Sequence, residues 1–233
     1  GTALLIAAAA VSLRANGLPF ALAGWLALWS AADWLLLESL NWRGLSYGTV
    51  QPSHLALLAV RWGVAWLAAW LAFSPAAWAI QPLLWGIVVY ATTREPFRVG
   101  VTELSLKDPK AAPGAQPISI LQISDVHIER LTRRDREVLA IVRRLRPDLI
   151  LLTGDYLNLS YVGEERAIED ARRFLGQLRA PGGVYAIRGT PEVDGNGMMR
   201  RLFHGLPITV LEGTRTDLEI AGHHLRLVGV GCD

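Results

Sequence analysis

Apolar positions run almost unbroken through the first 93 residues and then give way to short periodic runs. Three stretches, 18–37, 55–73 and 76–93, have the length of a bilayer-crossing helix, which takes about 20 apolar residues. A fourth, 2–13, reads as the end of a further span. Only Arg14, Asp33, Glu38, Arg43 and Arg61 are charged in this half, and all nine Trp of the chain lie in it. Trp25, Trp42, Trp62 and Trp78 fall near the ends of the expected spans, where aromatic belts form. Residues 1–93 are therefore expected to be an α-helical transmembrane segment, and the chain an integral membrane protein. Asp33 and Arg61 come to similar depth in an antiparallel helix pair and are expected either to form an ion pair or to snorkel toward the interface, with a polar pathway as the functional alternative. His54 is expected to face solvent. Arg43, Arg94, Arg98, Lys107 and Lys110 share one side, so the rest of the chain is expected in the cytoplasm.

From residue 101 the period shortens. Residues 101–106 alternate as an edge strand does, and 107–117, rich in Pro, Gly and Ala, read as a linker. Residues 118–124 predict a buried strand. Thr132 is the expected N-cap of a helix with Val138, Leu139, Val142 and Leu145 on its apolar face and Pro147 as its stop. Residues 148–153 predict a second strand. A helix over 164–179 follows, with Ile168, Ala171, Leu175 and Leu178 on one face. After Pro181-Gly182-Gly183, residues 184–188 predict a third strand. A short helix and strands near 208–211, 218–221 and 225–230 come last. Strands alternating with helices make parallel β-α-β units, so 118–233 is expected to be an α/β domain joined by 94–117 to the helical part.

Composition narrows the function classes. A net charge of +2 over 23 basic and 21 acidic residues gives no support for a nucleic-acid partner. The single cysteine, Cys232, excludes an internal disulfide framework. The chain starts at Gly1 rather than Met and stops at Asp233, and it is expected to be a fragment of a longer protein.

The candidate chemistry lies where the predicted strands end. In parallel sheets, ligands gather at the carboxyl ends of strands. Here those ends carry Asp125 and His127, then Asp155, then Thr190 and Glu192. Two carboxylates and an imidazole suit a divalent cation with oxygen and nitrogen ligands. Asp125 and His127 stand two apart, in what is expected to be an extended turn, so both can face one ion.

At these residues the chain resembles the calcineurin-like metallophosphoesterase family, whose pattern is Asp-x-His, Gly-Asp, Gly-Asn-His-Asp/Glu and two further histidine motifs. The first block stands here as Ser124-Asp125-Val126-His127 and the second as Thr153-Gly154-Asp155. The resemblance covers about residues 101–233. It implies an αββα sandwich, incomplete at its C-terminal end, that binds two divalent ions of the Mn, Fe or Zn class. Asp125 and His127 would bind the first ion and Asp155 would bridge both, for in-line displacement at phosphorus.

The third block departs from the pattern, as Gly189-Thr190-Pro191-Glu192. Thr190, in place of Asn, is a shorter and weaker metal ligand, so the second ion is expected to bind weakly. Pro191 has no proton to donate, and loss of such a group typically lowers rates by about 10²–10⁴. The further histidine motifs are expected beyond Asp233. His223-His224 has the wrong spacing and is expected at a hairpin turn, and His204 at a helix C-terminus. The expected function is membrane-anchored, metal-dependent hydrolysis of a phosphomonoester or phosphodiester, with a lipid-linked or membrane-proximal substrate, and this stretch by itself is expected to show little activity. The alternative is a non-catalytic scaffold on a degenerate metal site.

Overall fold

At Arg98 the chain divides into two units, Gly1–Arg98 and Val99–Asp233, in a computed structural model that describes residues 20–46, 48–70, 74–107 and 116–230. The first unit contains helices α1 (Phe20–Trp42), α2 (Val50–Trp70) and α3 (Ser74–Thr93), followed by a 3-10 turn at Glu95–Phe97. Leu22, Leu26, Leu58, Trp62 and Ala65 form its apolar core, with Trp25 and Trp78 packed against them.

Its centre is polar. Asp33 is 0 % exposed and Arg61 2 % exposed. Arg61 donates from Nε and Nη2 to the two carboxylate oxygens of Asp33, at 2.5 and 2.7 Å. Its Nη1 donates to the Gln81 side-chain and backbone oxygens, both at 3.1 Å. The expected ion pair is present, and it recruits Gln81 from the third helix. His54 is not solvent-facing: it is buried, with Nε2 at 2.9 Å from the Ser30 carbonyl oxygen. Polar groups inside a helical bundle must find partners there, because no water replaces them.

The three full spans expected in this half are not found. Among the described residues, no helix is long and apolar enough to cross a membrane. Asp33 and Glu38 interrupt α1. The second helix opens on Gln51, Pro52, Ser53 and His54 and carries Arg61 near its middle, and α3 carries Gln81 and Pro82. Of the four Trp expected near span ends, Trp62 is buried and Trp25 donates to the Trp78 carbonyl oxygen at 3.2 Å, while Trp42 is exposed. The orientation read from basic residues has no spans to rest on among the described residues. The segment 2–13 lies outside them.

The second unit is built on a four-stranded parallel sheet in the order β1 (Ile120–Ile123), β2 (Leu149–Leu152), β3 (Val184–Ala186) and β4 (Thr209–Val210). Helices α4 (Arg133–Leu145), α5 (Glu165–Leu175) and α6 (Asn196–Phe203) make the crossovers, and β5 (Arg215–Ile220) and β6 (His223–Val228) form an antiparallel hairpin. The start of α4 is fixed as its sequence suggests. Both the backbone N–H and the hydroxyl of Thr132 donate to the Asp135 carboxylate, at 2.7 and 2.8 Å, which satisfies groups a helix end would otherwise leave open. Arg146 then ends the helix in the left-handed region at φ 46°, directly before Pro147.

Sequential strand order with right-handed crossovers puts the helices on one face of the sheet. Ile150, Leu152, Val184 and Ala186, which share a face, are accordingly all buried. The opposite face carries Gln122, Leu151, Tyr185 and Thr209 in one row and is partly open. Residues 101–106 do not form the expected edge strand: they pair with no strand, and Leu104 and Leu106 are exposed. Most of the expected linker, 108–115, lies outside the described residues.

Candidate metal centre

The candidate ligands come from the segments that leave β1, β2 and β3. Beyond the sheet, the first two segments stay paired. The N–H of Asp125 donates to the Gly154 carbonyl at 3.2 Å, that of His127 to Asp155 at 3.0 Å, and that of Ile128 to Tyr156 at 3.0 Å. Val126 and Ile128 are buried, and this alternation leaves Asp125 and His127 on the outer side together. The turn is not extended, however. Asp125, His127 and Asp155 all take positive φ, at 54°, 45° and 55°. Left-handed backbone costs a non-glycine residue roughly 1–2 kcal/mol, and such strain concentrates at functional sites.

Two glycines allow the β2 and β3 segments to meet. A Cβ on Gly154 would stand 2.3 Å from the Gly189 Cα, and one on Gly189 would stand 2.6 Å from both N and Oδ1 of Asp155. The close approach delivers Thr190 to Asp155. The Thr190 N–H donates to Asp155 Oδ1 at 2.8 Å and its hydroxyl to Oδ2 at 3.1 Å. Thr190, Pro191 and Glu192 are all exposed.

Asp125, His127 and Asp155 each bring one ligand atom to within 4.8 Å of the others, and among the described residues they are the group able to hold a metal ion. Two ligands on opposite sides of one ion stand roughly 4–5 Å apart, so the spacing fits a single ion. The donor set fits as well, being two carboxylates and an imidazole. His127 Nε2 lies 3.7 Å from Asp125 Oδ1, while its Nδ1 faces the Leu157 carbonyl oxygen at 3.5 Å. Ser124 donates its hydroxyl to Asp125.

His223 and His224 take no part in this group. The hairpin turn falls on Ala221 and Gly222, so both histidines begin β6, and His223 Nε2 lies 2.8 Å from the Gln116 carbonyl oxygen. His204 caps the C-terminus of α6.

Sequence reasoning missed two residues beneath the site. Asp194 is 0 % exposed, and it accepts from the N–H groups of Asp155 at 2.6 Å, Gly189 at 3.0 Å and Tyr156 at 3.4 Å. Burial pushes its carboxyl above the usual carboxylate range, and the three N–H donors oppose that rise. A second carboxylate just past the third block was the available signal. Tyr156, also buried, donates to the Ile187 carbonyl at 2.7 Å, and burial holds its hydroxyl protonated well above the usual tyrosine range.

The family model for calcineurin-like phosphoesterases matches residues 118–223. The α/β unit belongs to the calcineurin-like phosphoesterase family. Among curated proteins, the chain is 25 % identical over 150 residues to the uncharacterized metallophosphoesterase YkoQ of Bacillus subtilis (strain 168), covering 61 % of this chain and 53 % of the relative. It is 32 % identical over 103 residues to the UDP-2,3-diacylglucosamine pyrophosphatase LpxG of Chlamydia trachomatis, covering 43 % of this chain and 30 % of the relative. The corresponding LpxG of Chlamydia muridarum is 28 % identical over 135 residues, 57 % of this chain and 40 % of the relative. The matches thus span about half or less of each relative's length. No solved structure matches the chain significantly. As a calcineurin-like phosphoesterase, the unit has the fold of a hydrolase for phosphate esters.

Proposed function

We propose that this calcineurin-like phosphoesterase unit hydrolyses a phosphate ester or anhydride with the help of divalent ions held by Asp125, His127 and Asp155. The observation that carries the reading is the convergence of these three side chains at adjacent strand ends, each on a left-handed backbone. When bound, the ions supply an activated water and neutralise charge on the phosphoryl oxygens. The chain's own contribution is to present two carboxylates and the His127 imidazole to one point. Thr190 already engages both oxygens of Asp155, which supports one firm ion and a weaker second. The open face of the four-stranded sheet is where the second sheet of an αββα sandwich would pack.

Pro191 bears on the substrate. Without a proton donor at this position, a leaving group must depart without help from the third block. Phosphoanhydrides and aryl esters, whose leaving groups are stable as anions, are therefore favoured over alkyl esters. The pyrophosphatase activity in the name of the LpxG relatives is in keeping with that preference.

The helical unit supports a location at lipid. Leu28, Trp34, Leu35, Trp42, Leu67 and Leu83 are exposed, while Asp33, Arg61 and Gln81 are buried. Large apolar side chains thus face outward beside a buried polar group, and soluble monomers rarely expose large apolar patches. We therefore place the substrate at a lipid surface and read it as lipid-linked.

The test is Mn²⁺-dependent hydrolysis by the full chain of bis(4-nitrophenyl) phosphate, a dialkyl phosphate and a nucleoside diphosphate sugar. Hydrolysis of the first and third over the second supports the reading. A preference for the dialkyl ester counts against the leaving-group assignment. A second reading, a non-catalytic binding module, is favoured by the same Thr190 and Pro191, and metal uptake without turnover of any of the three would select it.

A further inference from the structure

We infer that Asp194 is a positioning residue for Asp155, setting the place of that carboxylate from beneath the metal centre. The inference rests on the reading of Asp155 as a metal ligand. Three backbone N–H groups, from Asp155, Tyr156 and Gly189, point at this one carboxylate at 2.6, 3.4 and 3.0 Å. They belong to two different strand-end segments, so Asp194 ties the second block of the site to the third. Hydrogen bonds to a charged acceptor are about twice as strong as neutral ones, enough to hold Asp155 at φ 55°.

Asp194 itself is fully buried, so it acts through Asp155 and not as a ligand. The turn that carries it is closed by its own N–H and that of Val193, which donate to the Thr190 carbonyl at 2.8 and 3.0 Å. The same turn therefore sets Thr190, which meets Asp155 from the other side. Glu192, two positions earlier and at the acidic position of the family pattern, is exposed. The acidic side chain that links the third block to the metal loop is Asp194.

The test compares the full chain with its Asp194→Asn variant. Folding is followed by circular dichroism and Mn²⁺ binding by titration calorimetry. An amide side chain fills the same volume but replaces one acceptor oxygen with a donor. Changes beneath metal ligands typically lower metal affinity about 10–100-fold, and a loss in that range from a folded variant is expected. A carboxylate that only stiffened the loop would lower the melting temperature and leave Mn²⁺ affinity unchanged, and that result overturns the inference. If the variant does not fold, the parent chain decides by amide exchange. Slow exchange at Asp155 and Gly189, with their resonances moving when Zn²⁺ is added, supports the inference, and rapid exchange contradicts it. A parent chain that takes up no Mn²⁺ defeats the functional reading itself, and the inference with it. A parent that binds Mn²⁺ no better than a folded Asp194→Asn variant defeats the inference alone.

Discussion

Thr190 holds Asp155 by two atoms, its N–H on Oδ1 at 2.8 Å and its hydroxyl on Oδ2 at 3.1 Å. A residue at this place in the family pattern would be an asparagine free to turn its carbonyl toward a second ion. Here the hydroxyl is spent on the carboxylate that would bridge the two ions in the proposed arrangement. Restoring the pattern with Thr190→Asn and Pro191→His should raise occupancy of a second Mn²⁺ and flatten the dependence of rate on leaving group. Metal stoichiometry measured beside turnover of aryl and alkyl esters checks both. Because proline also restricts the loop backbone, the gain in rate should fall below the upper end of the roughly 10²–10⁴-fold range of acid catalysis.

Gly154→Ala should be among the most damaging small substitutions in the α/β unit. Its Cβ would meet the Gly189 backbone at 2.3 Å, on a residue already at φ +98°. Overpacking of this kind costs about 1–3 kcal/mol. A melting temperature lowered by several degrees, together with loss of Mn²⁺ binding, is expected by thermal denaturation and calorimetry. A variant that melts and binds like the parent shows that the two segments need not touch.

Tyr156→Phe separates stability from binding. The change removes the bonds from the hydroxyl to the Ile187 and Leu152 carbonyls and leaves the site's side chains in place. The expected loss is about 1–3 kcal/mol of stability, read by urea unfolding, with Mn²⁺ affinity close to that of the parent.

In the helical unit, Arg61→Met should be much worse than the pair Asp33→Leu with Arg61→Met. The single change strands a buried carboxylate and costs about 3–5 kcal/mol, whereas replacing both charges with apolar groups is often neutral. Helicity and melting temperature in detergent report the difference. Equal losses in the single and double variants would show that the pair does not hold the helices together.

How far the sequence revealed the molecule varies with the kind of signal. The parallel strands and their helices were legible because β2 is a near-continuous apolar run and Thr132 and Pro147 mark the ends of a helix. Asp125, His127 and Asp155 were legible as candidates because strand ends and short motifs coincide. Asp194 was not, since its importance lies in three backbone N–H groups that meet only after two loops have folded together. The helical half misled for a related reason. Long apolar runs suggest crossing helices; the pairing of Asp33 with Arg61 was legible from their positions, but not that Gln81 would join it or that His54 would be buried against the Ser30 carbonyl. Residues 101–106 alternate like a strand, yet alternation supplies no partner, and none is present among the described residues.

The most direct test of the account is equilibrium binding of Mn²⁺ to the full chain and to its Asp125→Ala, His127→Ala and Asp155→Ala variants, each confirmed as folded. The parent should take up one ion firmly and a second weakly, and each substitution should weaken the firm site at least about tenfold, by the scale on which even supporting residues act. Uptake in all three variants that equals the parent's would mean that these side chains are not the metal centre.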